Sequence, residues 1–379
     1  MTLQPHGIAE LQEAVRAHDA LTIRGAGTKS AAAAGTEIAR EKGVGTEVRR
    51  GRVLLDTTAL TGVTDYSPDE CVFTAWAGTA LAEIHAVLAA HGQCLPFDPP
   101  LVEAGATIGG TVAAGVSGSG RYRYGGVRDF VIGARIVDGE GRLIRSGGKV
   151  VKNAAGFLLH HAMVGSLGRF GVLAEITFKV FPAPESRRTL RVQGHGLRNV
   201  MDTLHEVEKA QFDLAAIDFD ETGTLLISVS GRADTVALRI ERLKRLAPWT
   251  SEVLDGAEDE RFWSDAREFR WAALDSALVK IPVSESARLP STALRAGKPS
   301  PATVPSPTVV RYTCGGKCMW VAALDLNALS EALSSAGLRG QVIRGERAGT
   351  IIGSVERNAF EERVRSVLDP RRRFSASRE

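Results

Sequence analysis

Apolar residues recur at helical spacing at Ile8, Leu11 and Val15, and the chain then runs through ALTIRGAGTKS. This predicts a helix, a short strand and a glycine loop. RVLLDTT (52–58) and CVFTAWAG (71–78) are β-rich runs, and TALAEIHAVLAAHG (79–92) is an amphipathic helix that stops at Gly92. DFVIGARIVDGEGRLIRSGG (129–148) reads as strand, Asp-Gly turn, strand, and GRFGVLAEITFKVFPAP (168–184) as a strand closed by two prolines. Strands and helices thus alternate around glycine loops through residue 184. Beyond it the pattern changes. Residues 199–231 read as helix, strand, turn, strand, 233–248 as a further helix, and 358–377 as a terminal helix ended by Pro370.

A chain of 379 residues is too long for one simple core. We expect an α+β protein with a first domain over 1–184 made of two subdomains. A smaller α+β cap or substrate-like domain occupies 185–325, interrupted by a Pro/Ser-rich loop at 291–308. A C-terminal segment, 326–379, is expected to pack back on the first domain. The net charge of +3 is too small to argue for nucleic acid or an anionic membrane. Four cysteines, Cys71, Cys94, Cys314 and Cys318, imply no disulfide framework. No run approaches the ~20 apolar residues of a membrane span, and the N-terminus carries charges where a signal peptide would be apolar. The expectation is a cytoplasmic protein, with peripheral attachment to the inner membrane through partners left open.

Of the 40 glycines, 26 lie in residues 25–171. In ATIGGTVAAGVSGSG (106–120) five of fifteen residues are Gly and most others are Ala, Ser or Thr. Backbone without side chains lets several N–H groups converge on an anion, and a diphosphate suits such a site. The loop Arg24-Gly25-Ala26-Gly27-Thr28-Lys29-Ser30 offers the same resource after a strand, with hydroxyls at Thr28 and Ser30 and charge at Arg24 or Lys29. It is neither a Walker loop nor the six-residue dinucleotide fingerprint. An ordinary turn is the alternative for each stretch.

The order of motifs carries more than either alone. RGAGTKS, then AWAGTALAEIHAVLAAHGQCLPFDPP, then ATIGGTVAAGVSGSGRYRYGGVRDFVIGARIVDGEG, then GGKVVKNAAGFLLHHAMVGSLGRFGVLAEITFKVFPAPE resembles the PCMH-type flavin-binding domain of the vanillyl-alcohol oxidase and p-cresol methylhydroxylase superfamily. Within it the chain is most similar to the smaller flavin-binding subunits of bacterial glycolate oxidases. FWSDAREFRW (262–271) and VERNAFEERVRSVLDPRRRF extend that likeness thinly to the C-terminus.

The resemblance implies FAD. It places Gly25, Ala26, Gly27 and Thr28 on one side of the pyrophosphate, with Arg24, Lys29 and Ser30 beside them. Thr107, Gly109 and Gly110 stand on the other side, flanked by Ala106 and Ile108. Ala114, Ser117, Gly118, Tyr124 and Gly125 would approach the adenosine diphosphate or the flavin edge, Pro96 and Asp98 would bring a loop close, and Gly171 and Val172 would meet the adenine or ribose end. Arg128 and Asp129 form either part of that site or a structural ion pair. Ala26 stands where relatives often have Gly. The first loop has Thr28-Lys29 where covalent members commonly place His, so the implied FAD is non-covalent. Phe374-Ser375-Ala376 replaces a typical Asn-Pro-Gly, which puts a cofactor contact from that end in doubt.

Oxidising a 2-hydroxy acid needs a base, a hydride acceptor and a cation for the carboxylate. None of the eight histidines lies after residue 205, so the histidine cluster of related single-subunit dehydrogenases is not formed there. His160-His161 reads as part of a helix packed on the sheet, or else as a metal or proton site. Cys314 and Cys318 do not make a standard zinc pair, and no metal site is expected. Arg267, Arg270, Lys280, Arg311 and the run Arg371–Arg373 read as solvated charge. The resemblance implies an FAD-carrying subunit beside a catalytic flavoprotein and an iron–sulfur subunit, with a small 2-hydroxy acid as substrate of the complex. A self-sufficient FAD dehydrogenase and an assembly subunit with a vestigial flavin site are the alternatives.

Overall fold

The computed structural model describes residues 1–29, 52–148, 158–193, 196–246, 250–283, 308–354 and 359–374. The chain opens with β1 (Thr2–Leu3), α1 (Ile8–Ala17), β2 (Leu21–Arg24) and β3 (Val53–Asp56). β1 and β2 flank β3 in parallel, with Leu3 opposite Leu55 and Leu21 opposite Val53. Leu11 and Val15, the inner stripe of α1, are fully buried against this small sheet.

Next come β4 (Val63–Ser67), β5 (Val72–Trp76), α2 (Leu81–Ala89), β6 (Gln93–Cys94), α3 (Ile108–Ala114) and α4 (Arg121–Tyr124). They are followed by β7 (Val131–Val137), β8 (Leu143–Gly147), α5 (Leu159–Ala162), β9 (Val172–Lys179) and β10 (Phe181–Pro182). Among the described residues β4-β5-β9-β7-β8 form an antiparallel sheet. Phe73, Phe97 and Phe178 stack beneath it with centroids 5.5 and 6.1 Å apart. Full burial of each such ring is worth about 1.5–3 kcal/mol. β4, VTDYS, has no apolar alternation and escapes a sequence reading; it is held as an edge strand by pairing with β5.

The second half contains β11 (Ser186–Gln193), α6 (Leu197–Lys209), β12 (Ala216–Asp220), β13 (Thr224–Gly231), α7 (Ala233–Leu246), β14 (Ser251–Asp255) and α8 (Gly256–Arg267). β15 (Ala277–Pro282), β16 (Thr308–Thr313), β17 (Cys318–Ala323), α9 (Leu326–Ser335), β18 (Arg339–Arg344), β19 (Ile351–Gly353) and α10 (Ala359–Leu368) complete it. One sheet runs β14-β11-β13-β12-β16-β17-β15-β18-β19 among the described residues. The expected boundary at residue 326 is therefore displaced. α9, β18 and β19 belong to this second sheet, because Gln341 and Val342 pair with β15 and Leu333 packs into the same core. The Pro/Ser-rich stretch lies outside the described residues except for Thr308, which begins β16.

The chain does return to the first domain, but only after residue 353. Arg373 O accepts from Leu21 N–H at 2.8 Å, Arg373 donates to Val15 O at 2.7 Å, and Phe374 is fully buried beside Leu21. Arg372 pairs with Glu362 at 2.7 Å. Within the arginine run Arg371 and Arg372 are exposed, while Arg373 is buried and ties the C-terminus to α1 and β2.

Candidate functional site

Residues 108–114 of the glycine-rich stretch form helix α3, where an anion-binding bend or an ordinary turn was expected. Thr107 caps α3, its hydroxyl accepting from Gly110 N–H at 3.2 Å, and Gly115 ends it in the left-handed conformation at φ 61°. Each glycine inside a helix costs up to about 1 kcal/mol relative to alanine. Close packing offsets that here. A Cβ on Gly109 would stand 2.7 Å from both the Cβ and the carbonyl oxygen of Ala77. The Gly109 amide donates to that same oxygen at 2.8 Å. Gly109 and Gly110 therefore serve the seating of α3, and their amides already have acceptors within the protein.

The first loop behaves differently. Arg24 to Lys29 come directly after β2, with Gly27 at φ 74°. Among the described residues the amides of Gly25, Ala26 and Thr28 have no protein acceptor. This loop lies against the α3 cap so closely that a Cβ on Gly25 would fall 2.5 Å from Thr107 Oγ1. Together the two line a groove of about 490 Å³. Ser30 lies outside the described residues.

Charge in the groove comes from Lys29. Arg24 is bound to Asp56 at 2.8 Å, so its charge is balanced. Lys29 Nζ has hydroxyl neighbours, Thr111 Oγ1 at 3.4 Å and Thr28 Oγ1 at 3.5 Å, and no carboxylate within salt-bridge distance among the described residues. Burial pulls its ammonium down to about 8, partly countered by the Glu268 carboxylate. Unpartnered amides, hydroxyls and an unneutralised ammonium facing one cleft form a donor set for a phosphorylated ligand. A dinucleotide's pyrophosphate fits it.

The groove gathers Arg24, Gly25, Ala26, Gly27, Thr28, Lys29, Thr107, Gly109, Gly110, Ala114 and Gly171. Ala106, Ile108 and Val172 are buried in the core and do not line it. Pro96, Asp98, Ser117, Gly118, Tyr124 and Gly125 lie elsewhere. Gly118 N–H donates to Asp98 O at 2.8 Å, Ser117 Oγ accepts from Val127 N–H at 2.9 Å, and Tyr124 meets the Phe181 ring edge-on. Ser117 and Gly118 border a second, smaller cavity between the domains. Asp129 accepts from Gly126 N–H at 2.8 Å and forms no ion pair with Arg128 among the described residues.

Sequence reasoning missed part of the groove wall. Ser166, Leu167 and Gly168 come from the turn before β9, and Gln341 to Ile343 and Glu346 to Thr350 from β18 and the turn after it. Phe374 lines the wall too. Nothing in the periodicity of β18 marks it as ligand-facing. Its placement depends on long-range pairing with β15.

The charges expected to be solvated are mostly engaged. Arg267 pairs with Asp98 at 2.8 Å, and Arg270 with Asp265 and Glu103. Lys280 is largely buried and donates to Gly115 O at 2.6 Å, beside Gln341 Nε2 to Ala114 O at 3.1 Å. These two side chains satisfy carbonyls at the end of α3 and dock the second sheet on the first domain. His160 is buried with Ser146 Oγ 2.9 Å from Nδ1, and burial lowers it to about 4. His161 lies 3.2 Å from Val131 O. Cys314 and Cys318 are buried free thiols. Among the described residues no cluster suits a metal ion, and no helix is long and apolar enough to cross a membrane.

With this geometry in hand, comparison with known proteins is decisive for the first half. Residues 1–147, which carry both turns of the groove, match the family described as FAD binding domain. Residues 1–147 are an FAD-binding domain. FAD is the cofactor whose pyrophosphate the donor set fits.

The chain that carries this FAD-binding domain is 37% identical over 215 residues to glycolate oxidase subunit GlcE of Escherichia coli (strain K12), covering 56% of this chain and 58% of that one. Glycolate oxidase subunit GlcD of Bacillus subtilis (strain 168) is 28% identical over 183 residues, 48% of this chain and 39% of that one. D-lactate dehydrogenase of Anaerostipes hadrus is 24% identical over 239 residues, 63% and 50%. The matches span less than two thirds of each relative's length. A solved alkyldihydroxyacetonephosphate synthase superposes with a TM-score of 0.67 at 16% identity, covering 98% of this chain and 74% of that one. That likeness shows the shared fold, the FAD-binding domain together with the second sheet.

Proposed function

We propose that this chain is the FAD-binding subunit of a complex that oxidises glycolate or a related 2-hydroxy acid, and that it holds FAD without a covalent bond. The observation that carries the reading is the groove: the loop after β2 and the capped start of α3, far apart in sequence, meet in one cleft that holds the loop's unpartnered amides and the Lys29 ammonium, in a chain 37% identical over 215 residues to a glycolate oxidase subunit. In this reading Gly25, Ala26 and Thr28 donate their amides to the pyrophosphate and Lys29 neutralises it. Thr107 and Gly109 hold α3 at the distance that keeps the cleft open. Bound FAD supplies a hydride acceptor for the oxidation. Non-covalent binding is supported by the absence of His, Cys and Tyr among the described groove residues.

The partners in this reading are a catalytic flavoprotein subunit, the counterpart of GlcD, and an iron–sulfur subunit. Attachment to the inner membrane would come through them. The test is to purify the chain, record its flavin spectrum, denature it with acid and co-express it with the candidate partners. Yellow colour released on denaturation, with glycolate bleaching that needs the partners, is expected. A colourless protein that takes up no added FAD removes the reading. Flavin that stays with the precipitate overturns the non-covalent part.

A further inference from the structure

The cavity bordered by Ser117 and Gly118 lies between the domains and has a volume of about 210 Å³. At the ~30 Å³ a water takes in the liquid, that is room for about seven waters, well below the ~300 Å³ and more of a drug-sized site. Its walls come from both halves of the chain, with Ser119 on the first domain and Asp218, Arg311 and Trp320 on β12, β16 and β17. Three guanidinium groups reach it. Arg191 is bound to Glu252 at 2.5 Å and Arg267 to Asp98 at 2.8 Å.

The Arg311 side chain has neither hydrogen bond nor salt bridge among the described residues. Its cross-strand neighbour Asp220 lines the same cavity and attracts the guanidinium without bonding it, its Oδ1 accepting from the amides of Thr222 and Thr224 at 3.0 Å each. The other nearby carboxyl, Asp218, is buried, takes a hydrogen bond from the Ser119 hydroxyl and another from Cys314 N–H at 3.3 Å, and is pushed by burial up to about 7. It is a weak counterion near neutral pH. The Arg311 guanidinium instead lies over the Trp271 ring, 5.3 Å from its centroid. A partly desolvated cation without a bonded anion is costly unless a ligand supplies one. The planar fork suits a carboxylate.

The remainder of the wall is aromatic. Phe269 packs 4.6 Å from Trp320 and 6.2 Å from Trp271, centroid to centroid. Such a wall rewards an apolar substituent and leaves an acid as small as glycolate or acetate with unfilled space.

We propose that this cavity binds a small monocarboxylic acid bearing an apolar side group, its carboxylate on Arg311 and the side group against Phe269, Trp271 and Trp320. That the acid is a 2-hydroxy acid rests on the reading above; the carboxylate site itself does not need the flavin.

Isothermal titration of the purified full chain tests it with probes that cannot be oxidised at C2: 3-phenylpropanoate, acetate and 3-phenylpropanamide. Saturable binding of 3-phenylpropanoate is expected, with acetate and the amide each at least about tenfold weaker. Arg311→Leu should lose about ten- to hundredfold in affinity for the acid and Arg311→Lys should fall between. Equal binding of acid and amide overturns the Arg311 assignment without any variant, as does full affinity in Arg311→Leu. Acetate binding as tightly as 3-phenylpropanoate overturns the apolar part, and no binding by the wild type overturns the whole. The flavin spectrum of the same sample separates the two ideas: a colourless protein that binds the acid defeats the flavin reading alone, and a yellow one that binds nothing defeats this proposal alone.

Discussion

Gly25→Ala probes the contact between the two turns. Gly25 has an ordinary φ, so alanine is not excluded by backbone conformation. The difficulty is spatial. The new Cβ would lie 2.5 Å from Thr107 Oγ1, while the next atoms of that side chain are 3.7 Å away. The hydroxyl cannot swing aside freely, because it accepts from Gly110 N–H as the cap of α3. Either the cap breaks, at about 1 kcal/mol, or the loop and helix separate by a few tenths of an ångström, with an overpacking cost of about 1–3 kcal/mol.

Both routes disturb the spacing of the groove. Gly25→Ala should therefore weaken FAD binding by about five- to 150-fold, the equivalent of about 1–3 kcal/mol. Thr107→Ala alone loses the cap, about 1 kcal/mol. In the double variant the clashing oxygen is gone, so Gly25→Ala/Thr107→Ala should bind FAD like Thr107→Ala alone. The cycle is read by flavin fluorescence titration, with thermal unfolding alongside. Strict additivity of the two substitutions would refute the reasoning, because it would mean that residues 25 and 107 do not touch. Unchanged affinity in the single variant would do the same.

Two further outcomes concern titratable groups. Lys29→Met should weaken FAD about ten- to hundredfold at neutral pH. Because burial brings the Lys29 ammonium to about 8, with Glu268, Thr28 and Thr111 around it, wild-type affinity should fall as pH rises through that value, while the Met variant shows no such slope; parallel pH profiles would dissociate Lys29 from the phosphates. His160, lowered to about 4 by burial, binds a proton more readily in the unfolded chain than in the folded one, so its contribution to stability is complete above the ordinary histidine range and is lost as pH falls toward 4. From about pH 7.5 to about pH 5 the loss is about 2 kcal/mol. Urea midpoints of His160→Gln should be flatter across that window than those of the wild type, and an identical pH dependence would show that His160 is not the responsive group.

The first loop was legible in the sequence because its signal is local: a strand, then Gly25 and Gly27 with hydroxyls and a lysine after them. The 106–120 stretch misled in conformation though not in location. Glycine-rich sequence has low helix propensity, and a helix forms there because Thr107 caps it and Ala77 requires a bare Cα at Gly109. Arg311 could not be separated from a surface charge, since its state depends on burial in a wall built from both halves of the chain and on Trp271 arriving from a distant segment. The boundary at 326 failed for a similar reason. Nothing local in β18 says that Gln341 pairs with Lys280 of β15, on the far side of β16, β17 and α9 in the chain.

Groove and cavity are joined by one segment. Ala114 ends the groove wall and Ser117 begins the cavity wall, and the carbonyls between them are held from the second sheet by Gln341 and Lys280. The same strand neighbours thus fix the segment that the groove wall and the cavity wall share. Lys280 is desolvated, and burial lowers its pKa, so the carbonyl at Gly115 is its principal stabilising partner here. Displacing that carbonyl would strand a buried cation, which makes the 114–117 segment a stiff hinge point between the compartments.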